Sequence, residues 1–193
     1  MRTSGRSVWV LALMLAAACG GSDNADQAAT DTTAAAVPEP APPQLTDADI
    51  AHIAVTANTI DIEAGQQANE KSTNAEVKQF ANTMITDHTG VNAEASKLAG
   101  GLSLTPTDNA VSQQLKSQAD AAKAEVGSKS GAEFDKAYIA REVAYHQAVL
   151  DALDQTLIPG AQHAELKALL EKVRPAVASH LQMAQQLQTK LGT

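Results

Sequence analysis

From Leu45 to the end of the chain there are only three prolines, at 106, 159 and 175. The apolar residues recur at three- and four-residue spacing, with no run of strict alternation. A stretch patterned in this way hides its apolar side as a helix and not as a strand. Ala, Gln, Glu, Lys and Leu, all strong helix formers, dominate the region. Leu45-Thr46-Asp47-Ala48-Asp49 opens the first helix, with Thr46 as N-cap, an acid three residues on, and Leu45 as hydrophobic staple. Its inward stripe is Ile50, Ile53, Ala57, Ile60, Ala64 and Ala68. Asn74 caps a second helix with the stripe Val77, Phe80, Met84, His88, Val91, Ala95 and Leu98, which Gly100-Gly101 stops. After a loop over 101–109, a polar, weakly amphipathic helix is expected over about 110–126. Breaks at Gly127 to Gly131 precede a third long helix over about 132–157, closed by Pro159-Gly160. The last helix spans about 162–191, and Pro175 inside it must either kink it or mark a restart.

The N-terminus reads differently. Arg2 and Arg6 stand before an apolar run from Val8 to Ala18. The run is far shorter than the roughly 20 residues a membrane span needs and is followed by small residues, so residues 1–18 read as a secretory leader. Cys19, the only cysteine in the chain, follows Leu15-Ala16-Ala17-Ala18, a sequence that resembles a lipobox. Cys19 is therefore expected to carry a lipid anchor, its acyl chains contributing ~0.8 kcal/mol per buried CH₂. Residues 19–44 hold almost no large apolar side chain and four prolines, and read as a solvated tether. Gly20, in place of Asp after the cysteine, favours the outer membrane facing the periplasm if the host is Gram-negative.

Loss of the leader, which carries two arginines and no acid, would move the formal charge from −8 to −10. So acidic a surface does not suit a phosphate-backbone binder, and nucleic acid is excluded as a partner. The leader also contains Trp9, which leaves Phe80, Phe134, Tyr138 and Tyr145 as the aromatics. The core of 45–193 must then be aliphatic and alanine-rich. Long amphipathic helices of this kind imply an all-α fold: an antiparallel four-helix bundle, in the simplest case up-down-up-down, with an additional shorter helix between the second and third long helices. That shorter helix is either a crossover between bundle halves or a surface flap.

One constellation in the chain suggests chemistry. His88, His146 and His180 each fall where an apolar stripe calls for a core residue, in three different long helices. Asp61 borders the inward stripe of the first helix, with Glu63 the less well placed alternative. Imidazoles converging inside a bundle suit Zn, Fe, Cu or Ni, so Asp61, His88, His146 and His180 are the candidate ligands of one transition metal. The competing reading is that these are core histidines hydrogen-bonded to Tyr138, Tyr145, Asp87 or a buried water. Glu142 and His146, four apart on one helix, form a pair that could support either arrangement.

Four runs also carry a family likeness: Asp61-Ile62-Glu63-Ala64-Gly65 with Ala68; Glu76-Val77-Lys78-Gln79-Phe80-Ala81 through Met84-Ile85-Thr86-Asp87-His88; Phe134-Asp135-Lys136-Ala137-Tyr138 with His146-Gln147; and Pro175 with His180-Leu181. From about Ile50 onward the chain resembles the DUF4142 family, secreted or outer-membrane-associated bacterial proteins of unknown function. The resemblance implies a ferritin-like four-helix bundle. Where the family usually has Glu this chain has Asp61, one methylene shorter. Ferritin-like di-iron centres use Glu-x-x-His, whereas the residues three before His88, His146 and His180 are Ile85, Val143 and Val177. A di-iron centre is therefore not expected.

Two functions follow. One is a non-enzymatic, lipid-anchored envelope protein with a role in binding or stress tolerance. The alternative is a metal-binding, metal-storage or redox bundle built on the inward histidines. A hydrolase finds no support, because no nucleophile stands in a recognisable motif with a histidine and an acid.

Overall fold

The structure, a computed structural model, describes residues 44–192. The leader, Cys19 and the tether up to residue 43 lie outside the described residues. Among those described, the regular structure is helical: α1 (Asp47–Lys71), α2 (Ala75–Gly101), α3 (Ala110–Gly127), α4 (Gly131–Ala152), a π-helical segment (Leu153–Leu157), a short α5 (Ile158–Gly160) and α6 (Ala164–Leu191).

The helix starts are those the caps dictate. Thr46 and Asp49 form a reciprocal capping box, with Thr46 N donating to Asp49 Oδ2 at 2.9 Å and Asp49 N donating to Thr46 Oγ1 at 3.2 Å. Such a cap stabilises a helix by about 1 kcal/mol. Asn74 Oδ1 accepts from the amides of Glu76 and Val77. The start of α6 has no cap of its own, since His163 makes no side-chain cap bond. Asp47, the first residue of α1, reaches across and accepts from Gln162 N and His163 N, both at 2.8 Å.

Two buried apolar clusters fix the helix directions. One contains Ile50 and Ile53 of α1, Leu150 near the end of α4, and Leu166 and Leu170 of α6. The other contains Ala64 and Ala68 of α1, Val77 and Phe80 of α2, Phe134 and Tyr138 of α4, and Ala184 and Leu187 of α6. So α1 and α6 run from the first cluster to the second, while α2 and α4 run the opposite way. Tight pairs α1/α2 and α4/α6 are joined through α2/α6 and α1/α4, and every neighbouring pair is antiparallel.

Along the chain the four long helices run up, down, down, up, and not in strict alternation. The reason is α3, which takes the return stroke. It runs beside α1, tied at one end by Asn109 Nδ2 to Asp49 O (3.4 Å) and at the other by Lys71 Nζ to Gly127 O. The extra helix is thus a crossover, and only Ser112 and Val126 of it are buried.

The expectation at Pro159 is corrected, and of the two alternatives at Pro175 the restart falls away. The third long helix does not end before Pro159 in one α-helical stroke to Leu157. It is α-helical to Ala152, widens so that Ile158 N bonds Leu153 O, and passes through Pro159 before stopping at Gly160. Proline has no N–H to donate, and a change of bonding register beside it accommodates the missing bond. In α6 the helix runs on through exposed Pro175 with no restart.

Candidate metal centre

Between the two apolar clusters lies a buried polar layer, to which each of the four long helices contributes. Asp61 comes from α1, His88 from α2, Glu142 and His146 from α4, and His180 from α6, and all five are buried. The level is set by the stripes themselves. Asp61 follows Ile53 by eight and precedes Ala64 by three, so it takes a core position at mid-helix. One turn on, Gly65 lets α1 and α2 approach closely: a Cβ there would stand 2.9 Å from the Ala81 carbonyl oxygen and from Ile85.

The three imidazoles form a triangle with ring centroids 5.2, 5.5 and 5.9 Å apart. One ligand atom from each lies within 4.8 Å of the others, and the same holds for the set Asp61, Glu142 and His146. Each ring has one nitrogen held by an acceptor. His88 Nδ1 meets Asn58 Oδ1 at 2.7 Å, His146 Nδ1 meets the Glu142 carbonyl oxygen at 2.9 Å, and His180 Nε2 meets Asp87 Oδ2 at 2.9 Å. The Asn58 amide is itself oriented, since its Nδ2 donates to Asn92 Oδ1 at 3.0 Å. A nitrogen facing an acceptor must carry the proton, so in neutral His146 and His180 the other nitrogen is a bare lone pair, whereas His88 has an acceptor at both nitrogens, its Nε2 standing 2.9 Å from Asp61 Oδ2.

Those other nitrogens are the ones left without hydrogen bonds. His88 Nε2, His146 Nε2 and His180 Nδ1 are buried and unpartnered, as are Asp61 Oδ2 and Glu142 Oε2. Asp61 Oδ2 lies 2.9 Å from His88 Nε2 and 3.7 Å from His146 Nε2, within ion-pair distance of both. An unsatisfied buried polar atom costs about 1–3 kcal/mol. Five such atoms in one layer have the donor chemistry of a metal site.

The carboxylate side of the layer has its own cation. Arg141 Nη1 lies 3.2 Å from Asp61 Oδ1 and also bonds Glu142 Oε1. Its guanidinium stands 4.5 Å over the Tyr145 ring, whose hydroxyl donates to Ala57 O at 2.8 Å. Burial opposes charge on Arg141, but Glu142 and Asp61 outweigh it and raise its pKa. Burial raises Glu142 well above its usual range, and the charge of Asp61 adds to this. For Asp61 burial acts upward too, but the His88 and His146 rings beside it hold it below the usual carboxylate range. Burial lowers His146 to about 4 and also lowers His180, so both rings are neutral and able to ligate at neutral pH.

The three predicted histidines come together, and Asp61 stands in an adjoining group with Glu142 and His146. Glu63, the alternative carboxylate, is at the surface with Lys123. Of the partners imagined for purely structural histidines, Asp87 does bond His180, whereas Tyr138 OH has no partner and Tyr145 bonds backbone. Asp87 lies on the α6 side of α2, which its adjacency to His88 hides in a one-helix view. Arg141, Asn58 and the full membership of Glu142 were not anticipated. Their signals were present: Arg141 and Tyr145 are four apart, and Asn58 is three before Asp61.

A family model described as a domain of unknown function, DUF4142, matches residues 29–187. This chain belongs to the DUF4142 family. No curated protein matches it. Among solved structures, the DUF4142 chain is similar to the crystal structure of a DUF305 protein from Streptomyces coelicolor, described as a candidate secreted protein. The TM-score is 0.63 at 12% identity, over 76% of this chain and 94% of that one. The likeness establishes a shared helical fold. Among the described residues of this DUF4142 protein, no helix is long and apolar enough to cross a membrane.

Proposed function

We propose that this DUF4142 bundle holds one divalent first-row transition ion through His88 Nε2, His146 Nε2, His180 Nδ1 and Asp61 Oδ2. The observation that carries the reading is the convergence of three buried imidazoles, each with one nitrogen tied to an acceptor and one ligand atom within 4.8 Å of those of the other two. Metal-ligating histidines are oriented in this way, their second nitrogen donating to a carboxylate, an amide oxygen or a backbone carbonyl. An imidazole-dominated set suits Zn, Cu, Ni or Fe and disfavours Mg and Ca. Arg141 neutralises the Asp61–Glu142 side, where a second ion would otherwise sit, which supports a mononuclear centre.

Handling of a metal outside the cytoplasm fits the leader-like N-terminus and the secreted description of the DUF305 neighbour. In this reading Cys19 carries the lipid that tethers the bundle to the cell envelope. Radiolabelled palmitate should enter the native chain and not a Cys19→Ala variant; equal labelling would remove the anchor.

The metal reading is tested by elemental analysis of the untagged full chain beside a variant with His88, His146 and His180 all changed to Ala. About one equivalent of a transition metal in the native chain and none in the variant is expected. Metal in neither, after incubation with Zn(II), Cu(II), Ni(II) and Fe(II) in turn, would make the layer structural.

A further inference from the structure

The metal layer is not sealed on the α2/α6 side. A cavity of about 70 Å³ ends there on His88 and His180, with Asn58 and Asp87 beside them. Every other lining residue is aliphatic, and apart from the two imidazoles the walls contain no ring. Ala51, Ala54, Ala95 and Ala99 keep α1 and α2 thin along it, and Leu153 and Leu157 of the π-helical segment close its far wall. The two histidines at its polar end are buried, and His88 Nε2 and His180 Nδ1 have no hydrogen-bond partner.

Resting on the metal reading above, we infer that this cavity takes a short aliphatic monocarboxylate, its head on the metal and its chain between α2 and α6. The polarity is arranged for such a molecule and for few others. The body of the occupant meets no hydrogen-bonding group, and only its end does. A divalent ion held by three imidazole nitrogens and one carboxylate oxygen keeps one positive charge beyond its ligands, which an anionic head matches, and such ions accept a fifth ligand. At about 25–30 Å³ per carbon-sized group, the space holds two or three groups, the size of a butyrate chain.

The test uses the full chain loaded with Co(II), whose visible absorption reports the metal's ligands, titrated with acetate, butyrate, hexanoate, octanoate and decanoate. Each methylene buried against the walls should tighten binding about fourfold (about 0.8 kcal/mol), levelling off near butyrate. Ala95→Leu, which fills the cavity, should weaken butyrate more than tenfold while leaving acetate and Co(II) binding unchanged. Leu169→Asn, which places a polar group on the half-buried wall, should also weaken butyrate and provides the test if Ala95→Leu does not fold. Equal affinity for acetate and butyrate, or unaltered butyrate binding in both variants, would overturn the inference alone. Failure to take up Co(II) at all would instead remove the metal reading, and this inference with it.

Discussion

The properties of the polar layer depend on residues that touch no ligand position. Asp87 and Asn58 each hold a histidine by the nitrogen that does not face the centre. Asp87→Ala or Asn58→Leu should therefore leave all four ligands in place yet weaken metal binding about 10–100-fold, read by competition with a chromogenic chelator. Unchanged affinity in both would mean that ring orientation is set by packing alone. Arg141 is a second such residue. Arg141→Met leaves Asp61 and Glu142 buried together without a counter-charge, and should lower metal-free stability by about 3–5 kcal/mol in urea unfolding. Glu142→Gln in the same chain should recover much of that loss; no recovery would place the effect of Arg141 in its packing on Tyr145. The stripe positions of His88, His146 and His180 made those three residues legible in the sequence. Arg141 was not, because it follows Ala140 and precedes buried Glu142 at a position that reads as helix surface until Asp61, 80 residues earlier, is brought beside it.

At the scale of elements, most of the helices could be read before the fold was known, because local chemistry starts and stops them. Thr46, Asn74 and Asn109 cap where their side chains allow, and Gly101 ends α2. What local chemistry could not show was help from a distant element. The start of α6 is capped by Asp47 of α1, and the π-helical segment arises where Pro159 and the buried residues Leu153 and Leu157 must be met together. Asp47→Ala should expose the Gln162 and His163 amides and cost about 0.5–2 kcal/mol, with faster hydrogen exchange confined to the first turn of α6. Gly65→Ala sets two effects against each other. Alanine favours a helix interior by about 1 kcal/mol, but its Cβ would meet the Ala81 carbonyl at 2.9 Å, and overpacking of that kind costs about 1–3 kcal/mol. The backbone oxygen cannot move aside, so a net loss of stability is expected; a gain would mean that α1 and α2 separate freely there.

At the scale of the whole molecule, α3 decides the topology and the polar layer decides the response to acid. The bundle order up, down, down, up could not be taken from helix count or amphipathicity, because a weakly amphipathic α3 reads equally well as a flap. The pH response follows from the buried histidines. His146 is held near 4 in the fold against about 6.5 unfolded, so between those values the unfolded chain binds the extra proton. Stability of the metal-free protein should therefore fall as pH drops from about 6.5 to about 4, by roughly 3 kcal/mol in all, with His180 acting in the same direction. Glu142 acts the opposite way, since its raised pKa favours the fold as pH falls toward the ordinary carboxylate range. A Glu142→Gln chain removes that opposition, and urea unfolding from pH 7 to pH 4 should then show the decline plainly; a flat profile would mean that the rings take up protons as readily in the fold as outside it. The most direct test of the central claim is an anomalous-scattering map from crystals of the full chain loaded with Zn(II). The account predicts one peak in the layer between the two apolar clusters, about 2.0–2.1 Å from His88 Nε2, His146 Nε2 and His180 Nδ1. A peak only at surface residues such as His52 or His163, with those three nitrogens still unliganded, would contradict it.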